Sequence, residues 1–154
     1  MNTKSKSSLT IAVLIPIAVG TLSALFSGNM MLYERINKPA LAPPGFLFPL
    51  VWILLYILMG ISSYIVSVSD SPSRHGALKR YALQLFFNFF WSILFFRFNW
   101  YFIAFLWLLA MLVLIAAMIN AFRKIKPLAA YLQIPYLLWC LFAAYLNFMI
   151  YRMN

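Results

Sequence analysis

The sequence predicts an all-α membrane protein built as a bundle of five transmembrane helices. Three observations carry that prediction. Hydrophobic residues make up 66% of the 154, charged residues only 9%, whereas soluble domains are typically ~25% charged. The apolar residues fall in five long runs, each near the ~20 residues that a bilayer-crossing helix needs. None of the runs shows the ~10-residue alternating segments of a membrane barrel, so helices must satisfy the backbone inside lipid.

The expected spans are about 9–27, 46–69, 78–98, 100–122 and 128–151, forming one transmembrane domain with a long first loop over 28–45. The first run follows Lys4 and Lys6. Its length and the lack of an A-x-A cleavage site mark it as a retained helix rather than a signal peptide. Pro16 and Gly20 predict a bend within it. The second run is entered through Pro43-Pro44-Gly45, a stiff extended approach. That loop reads equally well as a lid or as a linker. The third and fourth runs are joined near Asn99 by about one residue. The fifth contains Pro135 near its start.

The 12 Lys and Arg residues against 2 acids give a formal net charge of +10. They lie between apolar runs, where they anchor helix ends to anionic lipid, and nucleic acid is not an expected partner. Lys4, Lys6, Arg74, Lys79, Arg80, Arg123, Lys124 and Lys126 fall on one side of a five-span topology. Arg35, Lys38, Arg97 and Arg152 fall on the other. The positive-inside rule therefore puts the N-terminus in the cytoplasm.

Several chemistries are excluded. Glu34 and Asp70 lie in loops on opposite sides and cannot pair. His75 is the only histidine and Cys140 the only cysteine, so no metal-ligand cluster, disulfide or Ser-His-Asp set is expected. No internal repeat is visible, which weakens a carrier reading.

What remains is aromatic and neutral. Trp52, Tyr56 and Gly60 share one helical face. Gln84, Asn88 and Trp91 share another, and Trp139, Ala143, Leu146 and Asn147 a third. Membrane amides usually face the bundle interior, so the three faces are expected to line one uncharged aromatic cavity beneath the proline-rich loop. Such a cavity suits a large planar apolar ligand. Taken singly, each residue also reads as helix packing or as an interface anchor. Gly20 and Ala24 form a small-xxx-small pair that allows close helix approach.

The run Lys38-Pro39, Pro43-Pro44-Gly45, Phe48, Val51-Trp52, Leu55-Tyr56 and Met59-Gly60 resembles the first signature of the TspO/MBR family. Gln84-Leu85, Asn88, Trp91-Ser92 and Phe95-Phe96 resemble its second. Pro135-Tyr136, Trp139, Phe142-Ala143 and Leu146-Asn147 resemble its third. The length and short N-terminus look like those of a bacterial member, in a cell membrane. The resemblance implies a five-helix bundle, often a homodimer, that binds protoporphyrin IX and also benzodiazepine and isoquinoline-carboxamide ligands. It implies tetrapyrrole photo-oxidation that needs only light and oxygen, with no resident cofactor, in which Trp52 and Trp139 take part. It implies a ligand site of Tyr33, Pro43, Trp52, Asn88, Trp91, Trp139, Ala143 and Leu146. Arg35 or Lys38 is expected to meet the propionates. Transport and ligand sensing are the alternatives to catalysis.

Two departures stand out. Leu41 and Phe46 occupy loop positions where the family usually has Trp, so the loop is less aromatic. Phe148 replaces the central Tyr of the family's cholesterol-recognition stretch, and specific cholesterol binding is not expected.

Overall fold

The structure is a computed structural model that describes residues 3–28 and 31–154, with side chains from residue 7 onward. The side chains of Lys4 and Lys6, counted in the orientation argument, lie outside the described residues. Among the described residues seven α-helices follow in order: α1 Thr3–Ser27, α2 Leu32–Arg35, α3 Leu47–Ser67, α4 Arg74–Ser92, α5 Tyr101–Ile125, α6 Pro127–Tyr131 and α7 Ile134–Met153. A π-helical turn, Ile93–Arg97, continues α4. No strand occurs among the described residues.

Among the described residues, four segments are long and apolar enough to cross a membrane: Ser7–Ser27, Leu47–Ser67, Tyr101–Ile125 and Pro127–Met153. The expected fifth, α4, has 19 α-helical residues and five more in the π turn. Its first two turns carry Arg74, His75, Lys79 and Arg80, and its middle carries Gln84 and Asn88. That polarity keeps it below the apolar character of the other four. It nevertheless packs along α5 and touches α1 and α3, and its amides are buried.

Helix boundaries differ from expectation for local reasons. The expected last span is split, because Pro135 has no N–H to give the carbonyl four residues back and its ring crowds the preceding turn. Residues 132–133 break the helix there, and α7 starts with Pro135 in its first turn. α1 starts earlier than its apolar run, through polar residues, and continues as helix through Pro16 and Gly20. Gly28, at φ +75°, ends it in the left-handed conformation that favours glycine. Asn99, at φ +56°, makes the expected tight turn into α5.

α1 and α3 approach one another closely. Gly60 lies on the backbone of Ala12 and Val13, where a Cβ would stand 2.7 Å from the Ala12 carbonyl oxygen. Pro16 deprives that same carbonyl of its helical N–H partner. The small-residue signal at Gly20 therefore does not mark the backbone contact between α1 and α3; Gly60 does.

The first loop is anchored at two points. The Tyr33 hydroxyl donates to the Pro43 carbonyl at 2.9 Å. Asn37 is clamped to the end of α7: its N–H donates to Asn154 Oδ1 at 3.0 Å, its Nδ2 to the Met153 carbonyl at 3.3 Å, and Asn154 Nδ2 donates back to the Asn37 carbonyl at 3.0 Å. Replacing Asn37 with alanine removes its side-chain bond to Met153 and weakens the clamp. Amide hydrogen exchange over residues 33–45 is then expected to accelerate roughly fivefold, as one net hydrogen bond is worth about 1 kcal/mol. Unchanged exchange would show that the loop is held elsewhere.

Candidate functional site

A cavity of about 470 Å³ lies beneath the first loop, between α1, α3 and the C-terminal end of α4. Its size falls in the ~300–1,000 Å³ range of small-molecule sites. Gly20, Thr21 and Ala24 form the α1 wall. Phe48, Trp52 and Tyr56 come from α3, and Trp91 and Phe96 from α4 and its π turn. Tyr33, Glu34 and Gly45 close the loop side.

The floor is fixed by a buried polar network. Trp52 stacks on Tyr56, with centroids 5.4 Å apart and an interplanar angle of 28°. The Tyr56 hydroxyl donates to Asn88 Oδ1 at 2.9 Å, and Asn88 Nδ2 donates to the Tyr136 hydroxyl at 3.2 Å. That hydroxyl donates in turn to Gln84 Oε1 at 2.7 Å. Trp91 is set separately. Its Nε1 donates to Asn147 Oδ1 at 3.1 Å, and Asn147 Nδ2 donates to the Tyr101 carbonyl at 2.7 Å. The amides thus position the aromatic walls from behind, where unpaired polar groups would be costly.

The expected site residues fall into three groups. Tyr33, Trp52 and Trp91 line the cavity. Ala143 and Leu146 lie beside a narrow cleft of about 20 Å³ that shares Tyr33, Phe48 and Trp91 with it. Asn88, Pro43 and Trp139 are not on the cavity wall. Asn88 sits one layer below, on Tyr56, and Pro43 accepts the Tyr33 hydrogen bond.

Trp139 lies behind Phe48, at a centroid distance of 5.8 Å, and Phe48 also meets Tyr33 at 4.9 Å. The Trp139 Nε1 is buried without a hydrogen-bond partner among the described residues. Trp52 and Trp139 therefore do not face one another across the cavity. The Phe48 ring fills the space between the α7 face and the cavity, and α1 supplies the wall expected from α7.

Sequence reasoning missed the α1 contribution, Phe48 as a wall and Glu34. Gly20 held the signal for α1. A Cβ there would collide with the Tyr56 ring, so the glycine makes room for a cavity side chain rather than for a helix.

The loop edge carries the charge. Lys38 Nζ pairs with Glu34 Oε2 at 3.4 Å and lies 4.5 Å from the centroid of the Tyr33 ring. Burial, and then the negative charge of Glu34, raise the Tyr33 phenol above its usual value. It stays protonated throughout the physiological range, and its bond to Pro43 persists until strongly alkaline pH.

A multi-helix membrane protein with an aromatic, largely uncharged cavity is the class that this architecture defines. The TspO/MBR family match covers residues 12–152, and the chain belongs to that family. It is 36% identical over 122 residues to the tryptophan-rich sensory protein of Cereibacter sphaeroides, spanning 79% of this chain and 76% of that one. It is 33% identical over 149 residues to the tryptophan-rich protein TspO of Archaeoglobus fulgidus, spanning 95% and 96%. It is 35% identical over 150 residues to the translocator protein of Sus scrofa, spanning 92% and 86%. Family and apolar helices together make it an integral, multi-pass membrane protein.

Proposed function

We propose that this chain is a five-span membrane protein, with its N-terminus in the cytoplasm, that binds a tetrapyrrole of the protoporphyrin IX type in the cavity beneath its first loop. The observation that carries this reading is a cavity walled by Trp52, Tyr56, Trp91, Phe48 and Phe96, flat π surfaces suited to a planar macrocycle. The fifth span is α4, whose basic first turns reach the headgroups while its buried amides face the bundle. Benzodiazepine and isoquinoline-carboxamide ligands share the planar aromatic chemistry and would compete. The family resemblance supports a homodimer.

In light, a bound porphyrin transfers its excitation to oxygen, and the oxygen species attacks the macrocycle or a neighbouring indole. The chain's part is to orient the ring and to place Trp52 against it, the hard chemistry belonging to the ligand. No resident cofactor is needed beyond light and oxygen.

The test is a dark titration with protoporphyrin IX followed by illumination and absorption spectroscopy. Trp52→Phe is expected to keep binding within about tenfold, since an aromatic pair adds roughly 0.5–1.5 kcal/mol, and to depress product formation. Trp139→Phe is expected to depress it less, because Phe48 stands between that indole and the cavity. Equal product formation in wild type and Trp52→Phe would remove the indole from the chemistry.

The names of the relatives, sensory protein and translocator protein, favour a second reading in which the cavity loads a ligand for sensing or transport. Saturable, competitor-sensitive porphyrin flux into proteoliposomes, with no light-dependent product, would select it.

A further inference from the structure

Two indoles line the cavity, Trp52 and Trp91. The light reaction proposed for it places Trp52 against the ligand and leaves Trp91 as wall. Trp91 also borders the narrow cleft beside Ala143 and Leu146, so its ring stands between the two spaces. It is only 7% exposed, and it is held by Phe95 and Phe96 at centroid distances of 5.6 and 6.4 Å.

The polar end of this indole is fixed too. Its Nε1 donates to Asn147 Oδ1 at 3.1 Å, and Asn147 Nδ2 donates to the Tyr101 carbonyl at 2.7 Å. The second bond holds the amide so that its carbonyl dipole stays aimed at the Trp91 N–H. An indole that gives up an electron becomes a cation, with part of the charge on that N–H. A hydrogen bond strengthens when its donor becomes charged, and a dipole already in place stabilises the charge without reorienting. Trp107 has such a bond, from Nε1 to the Phe87 carbonyl at 2.8 Å, but it does not line the cavity. Trp139 has neither feature: it lies behind Phe48, and its Nε1 is unpartnered among the described residues. Trp91 combines contact with the cavity and a fixed acceptor.

We propose that Trp91 is a second reacting indole of the cavity, the electron donor to a light-excited porphyrin, with Asn147 as its positioning residue. The inference rests on the photochemical reading of the cavity and deepens it. Trp91 gives one electron to the excited porphyrin, leaving an indole radical cation and a porphyrin radical anion. The extra electron passes to molecular oxygen, which becomes superoxide, and the porphyrin returns to its starting state. Superoxide bonds to C3 of the indole radical, and the Nε1 proton moves onto the new hydroperoxide. Cleavage of the O–O and C2–C3 bonds, with return of the proton to nitrogen, gives N-formylkynurenine. The net change is one O2 added to Trp91.

The test uses the full chain in nanodiscs loaded with protoporphyrin IX, with all variants compared at equal porphyrin occupancy. Flash photolysis under argon should give an indole radical, because electron transfer needs no oxygen whereas singlet-oxygen chemistry does. Trp91→Phe should lower the radical yield by about tenfold or more, and Asn147→Leu by about tenfold, the effect of losing one hydrogen bond to a charged group. Trp139→Phe should change it by less than about twofold, as its indole has no such bond to lose. Illumination of wild type in air, followed by peptide mapping, should find added O2 at Trp91 ahead of Trp107 and Trp139. That mapping needs no variant, so it stands even where a substitution disturbs folding. If the radical and the added oxygen sit on other tryptophans, and Trp91→Phe keeps the wild-type yield, this inference alone is overturned. If bound porphyrin gives neither a radical nor an oxidised tryptophan in wild type, the photochemical reading falls and takes the inference with it.

Discussion

Replacing Gly60 with valine is expected to lower the unfolding free energy by about 2–3 kcal/mol, the upper range for forcing extra atoms into a packed interior. A side chain there meets the backbone of α1 at Ala12 and Val13, and backbone cannot swing aside as a side-chain tip can. The variant should unfold at lower temperature in detergent and expose the α1–α3 seam to proteolysis. Gly76 is the control. A Cβ at that position meets nothing within 4 Å, so Gly76→Ala should be neutral or stabilising by up to about 1 kcal/mol. Equal stability of the two variants would show that the α1–α3 approach is looser than described.

Gly20→Val is expected to weaken ligand binding by about tenfold or more while the bundle stays folded. The added side chain strikes the Tyr56 ring, which stacks on Trp52 and donates to Asn88. Moving that ring costs a stacked pair worth roughly 0.5–1.5 kcal/mol and a hydrogen bond worth about 1 kcal/mol. Dark titration with protoporphyrin IX measures the loss directly. Wild-type affinity in Gly20→Val would place the ligand outside this cavity.

These two glycines show what the sequence made legible and what it did not. Run length and apolarity located α1, α3 and α5, because each depends on local composition. The inward faces of Gln84, Asn88 and Trp91 were also legible, since amides seek the interior and all three residues are buried. Fold-level pairing was not legible. Gly20 carries a small-xxx-small signal with Ala24 and Gly60 carries none, yet Gly60 admits a backbone and Gly20 admits Tyr56. Deciding between them requires knowing which helix lies opposite.

Trp139 shows the same limit. Its periodicity gave the correct α7 face, but the ring filling the space before it, Phe48, belongs to another helix. The pairing of Glu34 with Lys38 fits an i, i+4 spacing. Its place on the cavity rim depends on how the loop folds back over α3, and no local pattern encodes that path. The apolarity of the spans was readable throughout, except in α4, where buried amides and basic first turns dilute the average.

The clamp between Asn37 and Asn154 joins residues 117 positions apart. Its two halves are therefore made at different moments of synthesis. At 5–20 residues per second, roughly 6–23 s separate them. During that interval α1 and α3 can already be in place in the bilayer, while the rim above them lacks its partner at the far end of the chain. The nascent protein thus has the α1 and α3 walls of its cavity before the loop above them is fastened to α7.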